Sequence, residues 1–128
     1  MHKVLVLVVE DDVILANMYT QKLETENYGV EVCYDGAEGY EKIKLDKPSV
    51  VIMDLLMPNM NGFEVLQKVK ADEKLKNTPI ILLSNVAAPG EAQKALNAGA
   101  SAYFVKAETK PSDIVAKVKD LLSKAANS

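Results

Sequence analysis

Residues 51–62 read VIMDLLMPNMNG, and an apolar run of Val51, Ile52 and Met53 stops there on a carboxylate, Asp54. An aspartate at a strand end either bonds backbone N–H groups in the following turn or presents a reactive oxygen. For a single aspartate the turn role is the commoner one. The other strand ends decide between the two.

Outward from this stretch, short apolar runs alternate with segments of helical period. Val4 to Val9 reads as a buried strand, followed by Leu15, Met18, Tyr19 and Leu23 at the spacing of an amphipathic helix. Residues 28–34 (YGVEVCY) alternate as a second strand, and Ala37, Tyr40 and Ile43 mark a second helix closed off by Pro48. Ser49 to Met53 is the third strand. Phe63, Leu66 and Val69 lie on a third helix opened by the Asn61-Gly62 turn. Pro79 to Leu83 and Ala102 to Val105 read as strands four and five. Between them the stretch from Pro89 to Ala98, stopped by Gly99, is a helix. Pro111 opens a last helix with the stripe Ile114, Val115, Val118, Leu121 and Leu122. Strict alternation of strand and helix predicts an α/β fold, a mostly parallel five-stranded sheet with helices on both faces. Residues 1–128 are expected to form one domain, with the tail SKAANS frayed.

Composition narrows the function classes. A formal charge of -3 offers no basic face for nucleic acid, so no direct nucleic-acid binding is expected. The apolar runs are too short to span a bilayer, and acidic residues stand where a signal peptide needs a cleavage site. The single cysteine, Cys33, has no internal partner and reads as a small buried hydrophobe. A cytoplasmic location without membrane contact is the expectation. His2, near the terminus, carries no expected role.

The polar residues at the strand ends carry the chemistry. Strand 1 ends in Glu10-Asp11-Asp12, strand 3 in Asp54, strand 4 in Ser84-Asn85 and strand 5 in Lys106. In doubly wound sheets ligands bind beyond the carboxyl ends of the strands, where strand order reverses. In the common order 2-1-3-4-5 that point lies between strands 1 and 3, so the acidic residues converge. Asp12, ahead of the Leu15 stripe, is better placed to cap a helix than to hold a metal. Crowded carboxylates repel, and a hard cation such as Mg²⁺ relieves the repulsion. A metal, a nucleophilic carboxylate, a hydroxyl and a lysine are the parts that phosphoryl transfer requires.

The segments VLVVEDD, VVIMDLLMPNMNG, IILLSN and AGASAYFVK, in this order, resemble the receiver domain of bacterial two-component response regulators, including the stand-alone, chemotaxis-regulator-like kind. The resemblance covers nearly the whole chain. It implies a flavodoxin-like fold of strand order 2-1-3-4-5, with Asp54 accepting a phosphoryl group. The donor would be a sensor histidine kinase or a histidine phosphotransfer protein. It further implies Mg²⁺ held by Asp11 directly, by Glu10 through water, by Asp54 and by the backbone carbonyl of Leu56. Ser84 and Lys106 would bind the phosphoryl oxygens, and Tyr103 would act as the aromatic switch. Output would pass from the face of helix 4, strand 5 and helix 5 to an unidentified downstream protein. The chain would be a monomer or a phosphorylation-dependent dimer. It would not be an enzyme beyond its own phosphorylation and dephosphorylation.

Three departures qualify the resemblance. Ala107 stands where the family usually has a cis proline, and a cis bond before alanine costs about 2.5–4 kcal/mol. A trans bond is therefore expected, with a shifted loop that puts the reach of Lys106 in question. Asn85 replaces a small residue and would restrict access to Asp54 or add a hydrogen bond. Leu56 and Val86 flank the phosphoryl group and cannot orient a hydrolytic water, so a long-lived phosphoryl state is expected. Met57 and Met60 are candidates for a partner surface. The competing functions are weaker. A Mg²⁺-dependent phosphohydrolase lacks a second acid at Leu56. A docking receiver that is never phosphorylated fits the departures but not the intact acidic set. A flavin protein would have acidic strand ends repelling its phosphate.

Overall fold

The central strands of the chain are apolar on both faces, as a sheet covered by helices on both sides demands. The computed structural model describes residues 4–85 and 87–126, so His2 and Val86, singled out above, lie outside the described residues. The elements are β1 (Leu5–Val9), α1 (Val13–Glu24), β2 (Gly29–Cys33), α2 (Gly36–Asp46), β3 (Val50–Asp54), α3 (Gly62–Ala71), β4 (Ile80–Ser84), α4 (Glu91–Asn97), β5 (Ala102–Val105) and α5 (Pro111–Ala126). All neighbouring strands are parallel, in the order β2-β1-β3-β4-β5. This is the flavodoxin-like topology expected from the sequence.

Alternation along the strands divides the core in two. Val6, Val8, Val50, Ile52, Ile81 and Leu83 face α1 and α5, where Ala16, Tyr19, Leu23, Ile114, Val115 and Val118 pack onto them. Leu7, Val9, Val51, Met53, Ile80 and Leu82 face the opposite layer with Ile43, Val65, Leu66, Val69 and Ala95. Burying a side chain of this size contributes roughly 1.5–3 kcal/mol, so the central strands hold the fold together. Cys33 is fully buried as anticipated, and burial pushes its thiol up to about 12.

Several expectations need correction. The buried stripe of α1 is Ala16, Tyr19 and Leu23, while Met18 is exposed and Leu15 only half-buried. Small Ala16 lets the helix lie close to the sheet, which turns the larger residues outward. Met57 and Met60 are half-buried and pack in part against the α2–α3 side of the core. Helix α4 is shorter than its alanine-rich sequence suggests, because Gly90 adopts φ 80° and starts it late. Helix α5 continues through Ala126, into the tail expected to fray.

Two close approaches fix the loops that frame the site. A Cβ on Gly36 would lie 1.7 Å from the Met60 carbonyl oxygen, so only glycine lets α2 meet the β3–α3 loop. A Cβ on Gly62 would lie 2.7 Å from the Asp54 carbonyl oxygen. Asn61 caps α3 through its side chain, and Glu64 answers by accepting from the Asn61 N–H. At the other end of α3, Lys70 Nζ donates to the carbonyls of Lys76 and Thr78, each at 2.9 Å.

Candidate functional site: an acidic pocket bridged by a lysine

The register of β1 against β3 pairs Val9 with Met53, which sets Glu10 and Asp54 side by side just beyond the sheet. Both are buried, at 1% and 2% exposure, although each is ionisable. Asp11 stays exposed beside them, and carboxylate oxygens of all three residues lie within 4.8 Å of one another. Asp12 caps α1, as expected, by accepting from the Leu15 N–H at 3.1 Å. Its own N–H donates to Glu10 Oε2 at 3.1 Å, a restraint on Glu10 that the sequence did not reveal.

Lys106 reaches the pocket. Its Nζ lies 2.7 Å from Glu10 Oε1 and 3.0 Å from Asp54 Oδ2, bridging the two carboxylates. No peptide bond among the described residues is cis, so the Lys106–Ala107 bond is trans as predicted. The residues after β5 form a 3₁₀ turn over Lys106–Glu108, and the lysine is aimed inward.

One ammonium does not balance the carboxylates. Burial pushes the Glu10 carboxyl up to about 7, against the lowering effect of its Lys106 and Asp12 hydrogen bonds. Burial raises Asp54 as well, again partly opposed by Lys106. For Lys106 burial acts downward, but the hydrogen bonds and charges of Glu10 and Asp54 prevail and hold its pKa above the usual value. Asp54 Oδ1 is buried with no hydrogen-bond partner among the described residues. Buried carboxylate oxygens without donors are costly, and a divalent cation supplies what they lack. The donor set, all hard oxygen, fits Mg²⁺.

The pocket has a volume of about 440 Å³ and is lined by Glu10, Asp11, Asp54 and Lys106, with Leu15, Leu56 and Asn85 at its rim. Leu56 is 63% exposed, an apolar lip beside charged oxygens. Ser84 ends β4 next to Asp54's strand and is buried, so Asn85 forms the cavity wall on that side. Tyr103 sits farther along β5 and packs against the α2–α3–α4 side of the core. Its hydroxyl is buried without a hydrogen-bond partner among the described residues. It lines a second cavity, of about 390 Å³, with Ala87, Ala88, Pro89 and Thr109. The structure therefore brings Glu10, Asp11, Asp54 and Lys106 together, with Ser84 at the edge and Tyr103 outside the pocket.

Comparison with known proteins agrees with this geometry. A family model described as the response regulator receiver domain matches residues 6–119. The response regulator ArlR of Staphylococcus saprophyticus is 35% identical over 79% of this chain and 44% of its own length. The DNA-binding response regulator MtrA of Mycolicibacterium paratuberculosis is 33% identical over 89% of this chain and 49% of its own. A hybrid signal transduction histidine kinase of Dictyostelium discoideum is 34% identical over 95% of this chain, which is only 8% of that protein. The chain thus spans half or less of the length of these relatives. Among solved structures, a CheY-like receiver domain protein from Methanospirillum hungatei superimposes with a TM-score of 0.87 at 29% identity, covering 99% of this chain and all of the other. The chemotaxis response regulator CheY4 of Vibrio cholerae gives 0.84 at 29% identity, over 94% of this chain and 99% of that one. Sequence, topology and pocket converge, and the chain belongs to the response regulator receiver domains, whose general function is phosphorylation-controlled signalling.

Proposed function

We propose that Asp54 is the phosphoacceptor of this receiver and that Glu10, Asp11 and Asp54, with the backbone carbonyl of Leu56, hold Mg²⁺. The observation that carries the reading is the buried Asp54 Oδ1, without a hydrogen-bond partner among the described residues, in a pocket shared with two further carboxylates. A carboxylate oxygen of Asp54 attacks phosphorus, the O–P bond forms, and the P–N bond to the donor imidazole breaks with its electrons leaving on nitrogen. The bound cation supplies charge neutralisation. Lys106, already on Asp54 Oδ2, shifts onto the incoming phosphoryl oxygens, and the Ser84 hydroxyl joins it.

The donor is a sensor histidine kinase or histidine phosphotransfer protein, in keeping with the family. The domain has no catalysis beyond gaining and losing its own phosphoryl group. Among the described residues no helix is long and apolar enough to cross a membrane. The single cysteine of the sequence, Cys33, buried and free, is in keeping with a cytoplasmic setting. Output passes through the face of α4, β5 and α5, where Tyr103 answers the closure of the Ser84 loop. With Leu56 and Val86 unable to orient water, the phosphoryl group is long-lived.

Intact mass after incubation with acetyl phosphate, with and without Mg²⁺ and beside Asp54→Ala, tests this. A single phosphoryl adduct that needs both the metal and Asp54, and that decays over many minutes or longer, is expected. An adduct that survives in Asp54→Ala would sink the assignment. No adduct in the unaltered protein, from acetyl phosphate or from a phosphohistidine donor, would move the weight to an unphosphorylated docking role.

A further inference from the structure

The receiver resemblance places a proline after the lysine, and this chain has Ala107, exposed and too small to pack on anything. Something else must hold Lys106 to its two carboxylates. Strand β5 ends at Val105, and the 3₁₀ turn Lys106–Glu108 follows at once. Thr109 closes that turn from both sides of the lysine. Its Oγ1 donates to the Val105 carbonyl at 2.7 Å, and its N–H donates to the Lys106 carbonyl at 3.3 Å. The residue before Lys106 and Lys106 itself are thus both bonded to one half-buried side chain and its amide. Threonine is β-branched and stiff about χ1, so the hydroxyl is held on its acceptor at little entropic cost.

We propose that Thr109 is the positioning residue of this site, the clasp that aims Lys106 at Glu10 and Asp54 in the absence of proline at 107. It acts through the lysine and touches neither the carboxylates nor the phosphoryl group. The inference deepens the proposed function, since it gives the phosphoryl-binding lysine its support. The geometry it predicts is nonetheless testable in metal-free, unphosphorylated protein.

The experiment compares acetic anhydride labelling rates at individual lysines, read by peptide mass spectrometry, in the unaltered protein, Thr109→Val and Thr109→Ser. Valine keeps the branching and loses the donor, and serine keeps the donor. Lys70, tied to two backbone carbonyls at the far end of α3, is the internal reference for global loosening. Thr109→Val should raise labelling of Lys106 about fivefold relative to Lys70, the factor that one ordinary hydrogen bond represents, and Thr109→Ser should restore protection. An unchanged ratio in Thr109→Val overturns the clasp, as does an equal rise at Lys70.

A second arm follows acetyl phosphate adduct formation with Mg²⁺. Thr109→Val should slow it when Lys106 is present and have no effect when combined with Lys106→Met. An equal slowing in both backgrounds overturns the proposal. If the unaltered protein forms no adduct from acetyl phosphate or from a phosphohistidine donor, the proposed function fails while the labelling ratio still decides the clasp.

Discussion

At the edge made by β1 and β3, Glu10 and Asp54 lie under packing that leaves them 1% and 2% exposed. At the neighbouring edge Pro89, just ahead of α4, lines two cavities apart from the acidic pocket, one shared with Leu55, Asn61, Phe63 and Lys94 and the other with Tyr103 and Thr109. The first edge is framed by Gly36 and Gly62, each pressed against backbone. The second is entered through Gly90, where an added Cβ would meet nothing within 4 Å, and leads to a helix of seven residues without a side-chain cap. The contrast separates two requirements. An acceptor oxygen must be fixed before the donor arrives, because misplacement of a reacting atom is costly. An element that responds must have somewhere to go, and local looseness is the physical form of that freedom.

The contrast can be broken from the packed side first. Gly36→Ala places a carbon inside the Met60 carbonyl, and we expect a loss of about 3 kcal/mol or more in urea unfolding. Gly62→Ala forces α3 away from the Asp54 carbonyl, at a cost of about 1–3 kcal/mol, and should slow acetyl phosphate labelling of Asp54 as well. Gly90→Ala on the open side meets no neighbour and acts only through its left-handed backbone, so about 1 kcal/mol is expected. If Gly90→Ala costs as much as Gly36→Ala, the loop is not free and the contrast fails. The smallest stability effect belongs to Leu56→Gln. This exposed site should change stability by less than about 0.5 kcal/mol while shortening the life of the phosphoryl adduct.

The pH dependence sharpens the same comparison, since Glu10 and Asp54, the carboxyls that burial raises, belong to the packed edge. Glu10 titrates near 7 when folded against 4.5 in the unfolded chain, and Asp54 is shifted in the same direction. The folded protein therefore binds more protons than the unfolded one between these values, and the metal-free protein loses stability as pH rises through 7. Saturating Mg²⁺ should flatten this slope by favouring the ionised carboxylates. Thermal melts from pH 5 to pH 8, with and without the metal, measure it. A metal-free protein that becomes more stable over this range would contradict the buried-carboxylate account.

The strand ends were readable from the sequence because runs such as Val51 to Met53 and Ile80 to Leu83 leave no alternative to a buried strand. Asp54, Glu10 and Lys106 stood out because each follows such a run directly. The outward turn of Met18 was not readable, because Ala16 and Leu15 are both apolar and only close helix–sheet approach favours the smaller one. Nor was the 3₁₀ turn after β5. Its defining hydrogen bonds come from Thr109, whose polar side chain reads equally well as the start of a loop. Glu10's tether is donated by the backbone N–H of Asp12, and the identity of the side chain at position 12 carries no trace of it.

Strand β1 pairs with both β2 and β3, although an entire strand–helix unit separates it from β3 in sequence. Such parallel contacts close long loops, and pairings of this kind slow folding. The carboxylates that make the pocket stand at the ends of β1 and β3, so a chain that has built only its local helices has no pocket to offer. Completion of the central sheet is in this sense a proofreading step. A misfolded or half-made copy is silent, and only the finished molecule can carry a message.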